Sequence, residues 1–305
     1  MDRAHRVRVA APARLVDYAK AHLVVLPVAE VGALVARGAI RIGERAGTTR
    51  DLVRDADLVC VTDADVRAGS PMAPEPVPIA GPHEDADVLI VDKPAGMHVH
   101  PLGAYRTGTL LNALLWRCGA RADEPWGAWR PAPAHRLDRA ASGLLVIAKH
   151  AAAHDALRRL LAAGGITRRY LAIVSGQPAA DAGTIDAPLG RDPRFPYRRA
   201  VVADGQPAVT RWRVVARHGA TCELAVELET GRTHQIRAHL ASLGHPIVGD
   251  TLYAVAASPD EGAGPGASSA SQIALHACEL GFRHPLTGAA IACTSTPPAG
   301  FATRS

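Results

Sequence analysis

Aromatic residues are scarce, at 4% of 305, and so is lysine: Lys20, Lys93 and Lys149 are the only lysines among 34 basic residues. No apolar run approaches the roughly 18 residues of a membrane span. The longest near the start, Leu23 to Ala29, is broken by Pro27. The N-terminus has arginines but no apolar h-region, so a secretory signal is not supported. The five cysteines, Cys60, Cys118, Cys222, Cys278 and Cys293, form no CxxC pair and no regular spacing. That argues against a cysteine zinc site and a disulfide framework. Scattered thiols fit a reducing cytosol, and a cytoplasmic protein is expected. No lysine sits in a GxxxxGK[ST] context, so a P-loop is absent. Gly262, Gly264 and Gly266 lie in a low-complexity run, not between a strand and a helix. Ser142 lacks the GxSxG elbow of hydrolases. His234 and His239 are five apart, about 140° on a helix, unlike metal ligands at i and i+4. Neither a metal nor a cofactor is expected.

What is present is an ordinary globular composition, 48% hydrophobic and 21% charged. The length fits about two domains with cores that need no disulfide staples. The net charge of +5 is unevenly placed. Residues 1–50 carry +5, residues 158–217 carry +7 with eleven arginines, and the remainder is acidic. Two basic zones point to a polyanion, most simply nucleic acid. An arginine-rich composition, which the low lysine count also fits, would give the same charge without such a partner.

Pro71, Pro74, Pro76, Pro78 and Pro82 crowd one stretch. Proline neither continues a helix nor donates to a sheet, so residues 70–82 read as a semi-rigid linker. It would join a domain over 1–69 to a larger one over 83–305. The Gly/Ala/Ser-rich run Ala256 to Ser271 reads as a surface loop. In the first domain Arg14–Ala21 and Val28–Arg37 are predicted helical, with strands at Ala39–Ile42 and Val59–Thr62. In the second, predicted strands are Asp87–Val91, Gly143–Ala148, Tyr170–Val174, Val209–Val215, Thr221–Leu228 and Ile273–Leu280. Its predicted helices are Gly108–Cys118, Ala151–Ala163 and Thr233–Leu243. Strands that follow one another without a helix between them pair antiparallel, so the expected class is α+β with a mixed, largely antiparallel sheet.

Two polar segments adjoin apolar runs. One is His135-Arg136-Leu137-Asp138-Arg139-Ala140-Ala141-Ser142-Gly143, an aspartate between two arginines just before a strand. The other is Thr230-Gly231-Arg232-Thr233-His234-Gln235-Ile236-Arg237, a glycine turn running into a helix. Each alone reads equally as a salt-bridged turn or a solvated helix start. Together they resemble the RluA-type pseudouridine synthases. Further segments in the same order are similar to that family: Asp87 to Met97, Arg168-Arg169-Tyr170, Leu243 to Asp250 and Leu275-His276-Ala277. The family usually has Thr where this chain has Ala141 and Lys where it has Arg168. The first domain loosely resembles the alpha-L RNA-binding module, through Gly38-Ala39-Ile40-Arg41-Ile42-Gly43 and Asp57-Leu58-Val59. Its second helix begins Val28-Ala29-Glu30, without the basic cluster usual there.

The resemblance implies the pseudouridine synthase catalytic fold, preceded by a small α/β RNA-binding-like domain. It implies isomerisation of a uridine already in RNA, by cleavage of N1–C1′ and bonding of C5 to C1′. The RNA would be large-subunit ribosomal RNA or transfer RNA, and the enzyme a monomer. By resemblance Asp138 is the reacting carboxylate, as nucleophile or base. Arg237 pairs with it and Tyr170 stacks on the uracil. Arg136 enters the space left by the flipped base. Arg168, Arg169, Arg232 and His234 are the further RNA contacts. An RNA-binding or ribosome-assembly protein on the same fold, without catalysis, is the alternative; retention of Asp138, Tyr170 and Arg237 together argues against it. A hydrolase using two carboxylates would need a second acid that the motif segments lack.

Overall fold

The computed structural model describes residues 2–7, 11–22, 28–62, 74–101, 107–119, 131–195, 197–254 and 272–301. The run Ala256 to Ser271 and the first part of the proline-rich stretch, 70–73, lie outside them. The chain divides into two compact units. One comprises residues 1–76 and 100–130, the other 77–99 and 131–305.

The first unit contains β1 (Asp2–Arg6), β2 (Ala13–Arg14), α1 (Leu15–His22), α2 (Val28–Ala36), β3 (Ile40–Ile42), β4 (Arg45–Ala46), β5 (Leu52–Val53), β6 (Leu58–Thr62) and α3 (Leu110–Arg117). Its sheet runs β1-β6-β3-β4, with β2 and β5 paired separately. Helical spacing puts Leu15, Val16 and Ala19 of α1, and Val31, Leu34 and Val35 of α2, in one core with Ile40, Val59 and Val61. Helix α2 stops at Gly38, whose φ of +77° lets Gly38 N–H and Ala39 N–H reach back to the carbonyls of Val35 and Leu34. Leu111 and Leu115 of α3 complete this core. The expected boundary therefore needs correction. Helix α3, read above as part of the second domain, belongs to the first unit. Its run Leu110-Leu111-Asn112-Ala113-Leu114-Leu115 would suit either core, and position along the chain favoured the wrong one.

The second unit contains β7 (Ala80–Glu84), β8 (Val88–Lys93), β9 (Ala132–Pro133), β10 (Ser142–Ala148), α4 (Ala151–Ala162), β11 (Ile166–Ser175), β12 (Ala182–Asp186), β13 (Leu189–Arg191), β14 (Arg199–Val201), β15 (Val209–His218), β16 (Thr221–Leu228), α5 (Gln235–Ser242), β17 (Leu275–Arg283) and β18 (Ala290–Thr294). Its main sheet runs β12-β15-β16-β11-β17-β10-β8-β7, with β18 on β17 and β9 on β10. The expected α+β class holds. Every pairing in this sheet among the described residues is antiparallel except β10–β17, which is parallel at Ser142↔His276 and Gly143↔Ala277. All seven residues of β10 are buried. Leu144, Val146 and Ala148 share a core with Ala153 and Leu157 of α4. At the parallel crossing Gly143 has φ +111°, and a Cβ there would lie 2.3 Å from the carbonyl oxygen of Ala277. Only glycine allows that approach. Among the described residues no helix is long and apolar enough to cross a membrane.

Candidate active site

Asp138 sits on the loop between β9 and β10. Lys93, at the end of β8 and fully buried, fixes this loop. Its Nζ donates to the carbonyls of Pro94 (2.8 Å), Met97 (3.1 Å), Arg139 (3.2 Å) and Ala141 (2.6 Å). One ammonium thus ties the turn after β8 to the residues just beyond Asp138, and Gly96 N–H adds a bond to Arg139 O at 2.7 Å. Burial pulls the lysine down to about 7, against the charges of Asp138 and Asp92. Four surrounding carbonyl oxygens, all acceptors, favour the charged form.

Helix α5 brings the second motif to the same place. Gln235 clamps the turn before it. Its Oε1 accepts from Thr230 Oγ1 (2.8 Å) and Arg232 N (2.9 Å), and its Nε2 donates to Val209 O and Thr210 Oγ1, both at 3.0 Å. Arg237 then projects from the first turns of α5. Its Nη1 donates to Asp138 Oδ2 at 3.0 Å, while Nε and Nη2 bind Asp250 at 2.6 and 2.9 Å. The bidentate bond to Asp250 aims the guanidinium, and the remaining edge meets Asp138. The side chain of Asp138 is 14% exposed. Burial alone would raise its pKa, but His234, Arg237 and Arg136 outweigh burial and hold it below the ordinary carboxylate range.

His234 caps α5 in the left-handed region, at φ 56° and ψ 21°. This costs a non-glycine residue on the order of 1 kcal/mol, and such strain collects at functional sites. Its Nε2 lies 4.0 Å from Asp138 Oδ1, and its Nδ1 lies 3.2 Å from the Tyr253 hydroxyl. That hydroxyl accepts from Arg199 N–H at 2.8 Å. Its single proton goes either to Arg199 O, at 3.1 Å, or to His234 Nδ1. The carboxylate decides between them. With Nδ1 accepting, Nε2 carries the proton and points it at Asp138. The other arrangement would set a lone pair against a negative charge. Burial lowers the His234 pKa, so the neutral ring is the form to consider.

Tyr170 comes from β11, where the register with β17 shifts between Arg169 and Tyr170. The irregularity re-aims a side chain at the sheet's edge of regular pairing. Tyr170 is 4% exposed, and its phenol is pushed to about 12 by burial. Arg168 opposes that rise, and the charge of Asp138 adds to it. Arg168 is itself buried, donates to Leu228 O at 3.3 Å, and has no partner for Nε. It packs where a Cβ on Gly231 would lie 2.8 Å from its Nη1.

The expected residues thus separate. Asp138, Arg237 and His234 meet directly, the charge of exposed Arg136 helps to keep Asp138 ionised, and Tyr170 is buried on β11. Arg232 is exposed beside them, its Nε held by Pro207 O at 3.0 Å. Arg168 faces protein. Arg169 is not brought to the cluster. It is exposed, and its guanidinium is taken up by Glu227 and Glu279, each at 3.0 Å. Lys93, Asp250, Tyr253 and Gln235 were not singled out from the sequence. A lysine closing a strand that begins Val88-Leu89-Ile90-Val91 was the available signal for Lys93. His239 is buried, bonded to Thr210 Oγ1 and Ala187 O. Ser142 and His276 bond at 2.9 Å, with His276 Nε2 on Ser295 O, pinning the parallel crossing.

A second cluster lies elsewhere in this unit. Ligand atoms of Asp85, Asp87 and His284 fall within 4.8 Å of one another, a spacing open to a metal ion. However, His284 Nδ1 accepts from the amides of Leu286 and Thr287, at 3.2 and 3.0 Å. In the neutral ring the proton then sits on Nε2, facing the carboxylates, where a metal would need a lone pair.

The site is a largely buried carboxylate held by an arginine, with a histidine 4.0 Å away, and such a group can serve as a nucleophile or a base. The comparisons identify the family. The family model described as RNA pseudouridylate synthase matches residues 87–242. The protein named "Uncharacterized RNA pseudouridine synthase YlyB" of Bacillus subtilis is 41% identical, over 77% of this chain and 74% of its own. The "Ribosomal large subunit pseudouridine synthase D" of Xanthomonas campestris is also 41% identical, over 82% of this chain and 75% of its own. The solved structure "Human RNA Pseudouridylate Synthase Domain Containing 1" shares the fold, with TM-score 0.57 and 23% identity over 73% of this chain and 85% of its own. The chain belongs to the RNA pseudouridylate synthase family, and it is an isomerase that converts uridine in RNA to pseudouridine.

Proposed function

We propose that the substrate is large-subunit ribosomal RNA and that Asp138 carries the chemistry. What supports the RNA choice is that relatives similar over most of this chain bear that name. Substrate and product are isomers, so the reaction needs no redox partner. N1–C1′ breaks, the uracil turns, C5 bonds to C1′, and the C5 proton leaves as N1 gains one. The observation that carries the reading is the state of Asp138. It is held ionised, with Oδ2 on Arg237 and, among the described residues, Oδ1 4.0 Å from the His234 ring. That oxygen acts on the nucleotide, as nucleophile or base.

Tyr170 stacks on the extruded uracil and assists the late loss of the C5 proton. Exposed Arg136 fills the gap in the RNA, which offsets an extrusion cost of a few kcal/mol. The phosphates meet an arginine-rich surface. Arg191, Arg194, Arg198 and Arg199 surround Tyr197, which is 71% exposed, and Arg198 stacks on Phe195 at 4.4 Å. Arg232 extends this surface. Arg168 and Arg169, occupied within the protein, contribute support more than contact. The first unit supplies further RNA affinity. The protein acts as a monomer in the cytoplasm. Mapping pseudouridines in cellular RNA with and without the gene tests the assignment. Loss of one or a few sites in large-subunit RNA is expected. An unchanged map there, with sites lost from transfer RNA, would overturn the substrate.

A further inference from the structure

Beside the carboxylate site is a cavity of about 240 Å³, lined by Leu189, Arg199, Asp204, Gln206, Arg232 and Thr233 among others. Two connections place it next to Asp138. Thr233 lines it, and the next residue, His234, faces the carboxylate. Arg199 lines it too, and its backbone N–H binds the Tyr253 hydroxyl, which contacts His234. The space therefore adjoins the residues that meet Asp138.

Its chemistry is mixed. Arg199 and Arg232 bring two guanidiniums, and among the described residues neither has a carboxylate within ion-pair distance. Arg232 is oriented by its bond to Pro207 O. Asp204 stands exposed in the same cavity. A free phosphate would suit the arginines and be repelled by Asp204. A nucleotide satisfies both, with phosphate on the arginines and base N–H groups on the carboxylate. A carboxylate only accepts. The base edge offering two adjacent donors is that of guanine, with N1–H and the N2 amino group. Adenine and cytosine offer one amino group there, and uracil one N–H. Base edges are open to such reading in loops and bulges, where this chemistry also needs its uridine extruded.

We propose that this cavity is a subsite for the nucleotide next to the target uridine, with Asp204 selecting guanine. The proposal rests on the reading of Asp138 as the reacting carboxylate. The test uses the full chain and a stem-loop built around a uridine that it converts in ribosomal RNA. Each of the four bases is placed in turn on the 5′ and on the 3′ side. On one side guanine should raise kcat/KM about tenfold or more above the other bases, the scale of a good bidentate base contact. Asp204→Asn, an exposed and isosteric change, replaces one acceptor with a donor. It should bring the four bases within about threefold on that side and leave the other side as it was. Equal rates for all four bases on both sides would overturn the subsite while leaving the isomerase reading intact. So would a guanine preference that Asp204→Asn retains. No pseudouridine on any of these RNAs or on bulk ribosomal RNA would overturn both.

Discussion

Asp138 and Asp85 both face histidine, within one unit, and differ in how fully their oxygens are occupied. Asp85 Oδ1 accepts from the amides of Asp87 and Val88, both at 2.8 Å, and its Oδ2 lies 3.0 Å from His83 Nε2. Asp87 Oδ1 is 2.8 Å from His150 Nε2, and His284 Nε2 lies 3.5 Å from both carboxylates. The rings of His150 and His284 accept backbone N–H at Nδ1, which fixes their protons on the carboxylate side. That cluster staples the β7–β8 turn, the start of α4 and the β17–β18 turn. Among the described residues Asp138 has one hydrogen-bond donor, Arg237, and one side left over. Asp85, with both oxygens occupied, holds elements together. A carboxylate held ionised but undersaturated is available to a substrate.

The strongest way to break this contrast is to exchange charge for amide in both places. Asp138→Asn should lower pseudouridine formation by more than about 10³-fold, with RNA binding and melting temperature nearly unchanged. Arg136→Ala should leave a residual rate, because it slows extrusion and not the chemistry. If Asp138→Asn turns over normally, the mechanism fails.

Asp250→Asn removes the anchor of Arg237 without touching substrate. A fall in kcat of about tenfold to a hundredfold is expected, with KM little changed. The pH profile sharpens this. In the wild type the depressed Asp138 pKa keeps it ionised well into acid, so it contributes no loss of rate near neutrality. In Arg237→Gln burial remains and the cation is gone, so the acid limb should move to higher pH. A limb that stays in place would dissociate Asp138 from the rate.

For the saturated cluster the order reverses. Asp85→Asn should cost about 1–2 kcal/mol of stability and leave kcat alone. The amides of Val88 and Asp87 and the His83 bond outweigh burial and lower the Asp85 pKa from its ordinary 3.8. Its contribution is thus complete above that value and lost as pH falls through the depressed one, and Asp85→Asn should lack this loss. A fall in kcat at full folding would put the cluster in the reaction.

Smallest is Tyr253→Phe. Without the hydroxyl, His234 Nδ1 loses its partner and the proton on Nε2 is favoured by the carboxylate alone, so a fall in kcat of about threefold to tenfold is expected at unchanged RNA affinity. An unaltered rate would show that His234 does not orient the carboxylate.

Much of this was legible in the sequence because it is local. The apolar run 143–148 framed β10, Thr221–Leu228 gave β16, and the helical spacing of 151–163 and 233–243 gave α4 and α5 to within a residue or two. The consecutive polar identities around Asp138 and Arg237 marked the site, because a motif on one loop or one helix start is contiguous in the chain. The short strands β9, β13, β14 and β18 escaped, since two to five residues carry no readable period and exist by pairing with an adjacent strand. The tertiary structure alone decided which arginines face the site. Strand alternation and two glutamates from other strands turned Arg169 aside, burial claimed Arg168, and Asp250, thirteen residues beyond Arg237, aimed the guanidinium. It alone decided that α3 completes the first core and that Lys93 ties the Asp138 loop from within. The type of a side chain and its local conformation are written in the chain. Its partners, and hence its charge state and direction, depend on distances between segments that sequence order does not fix.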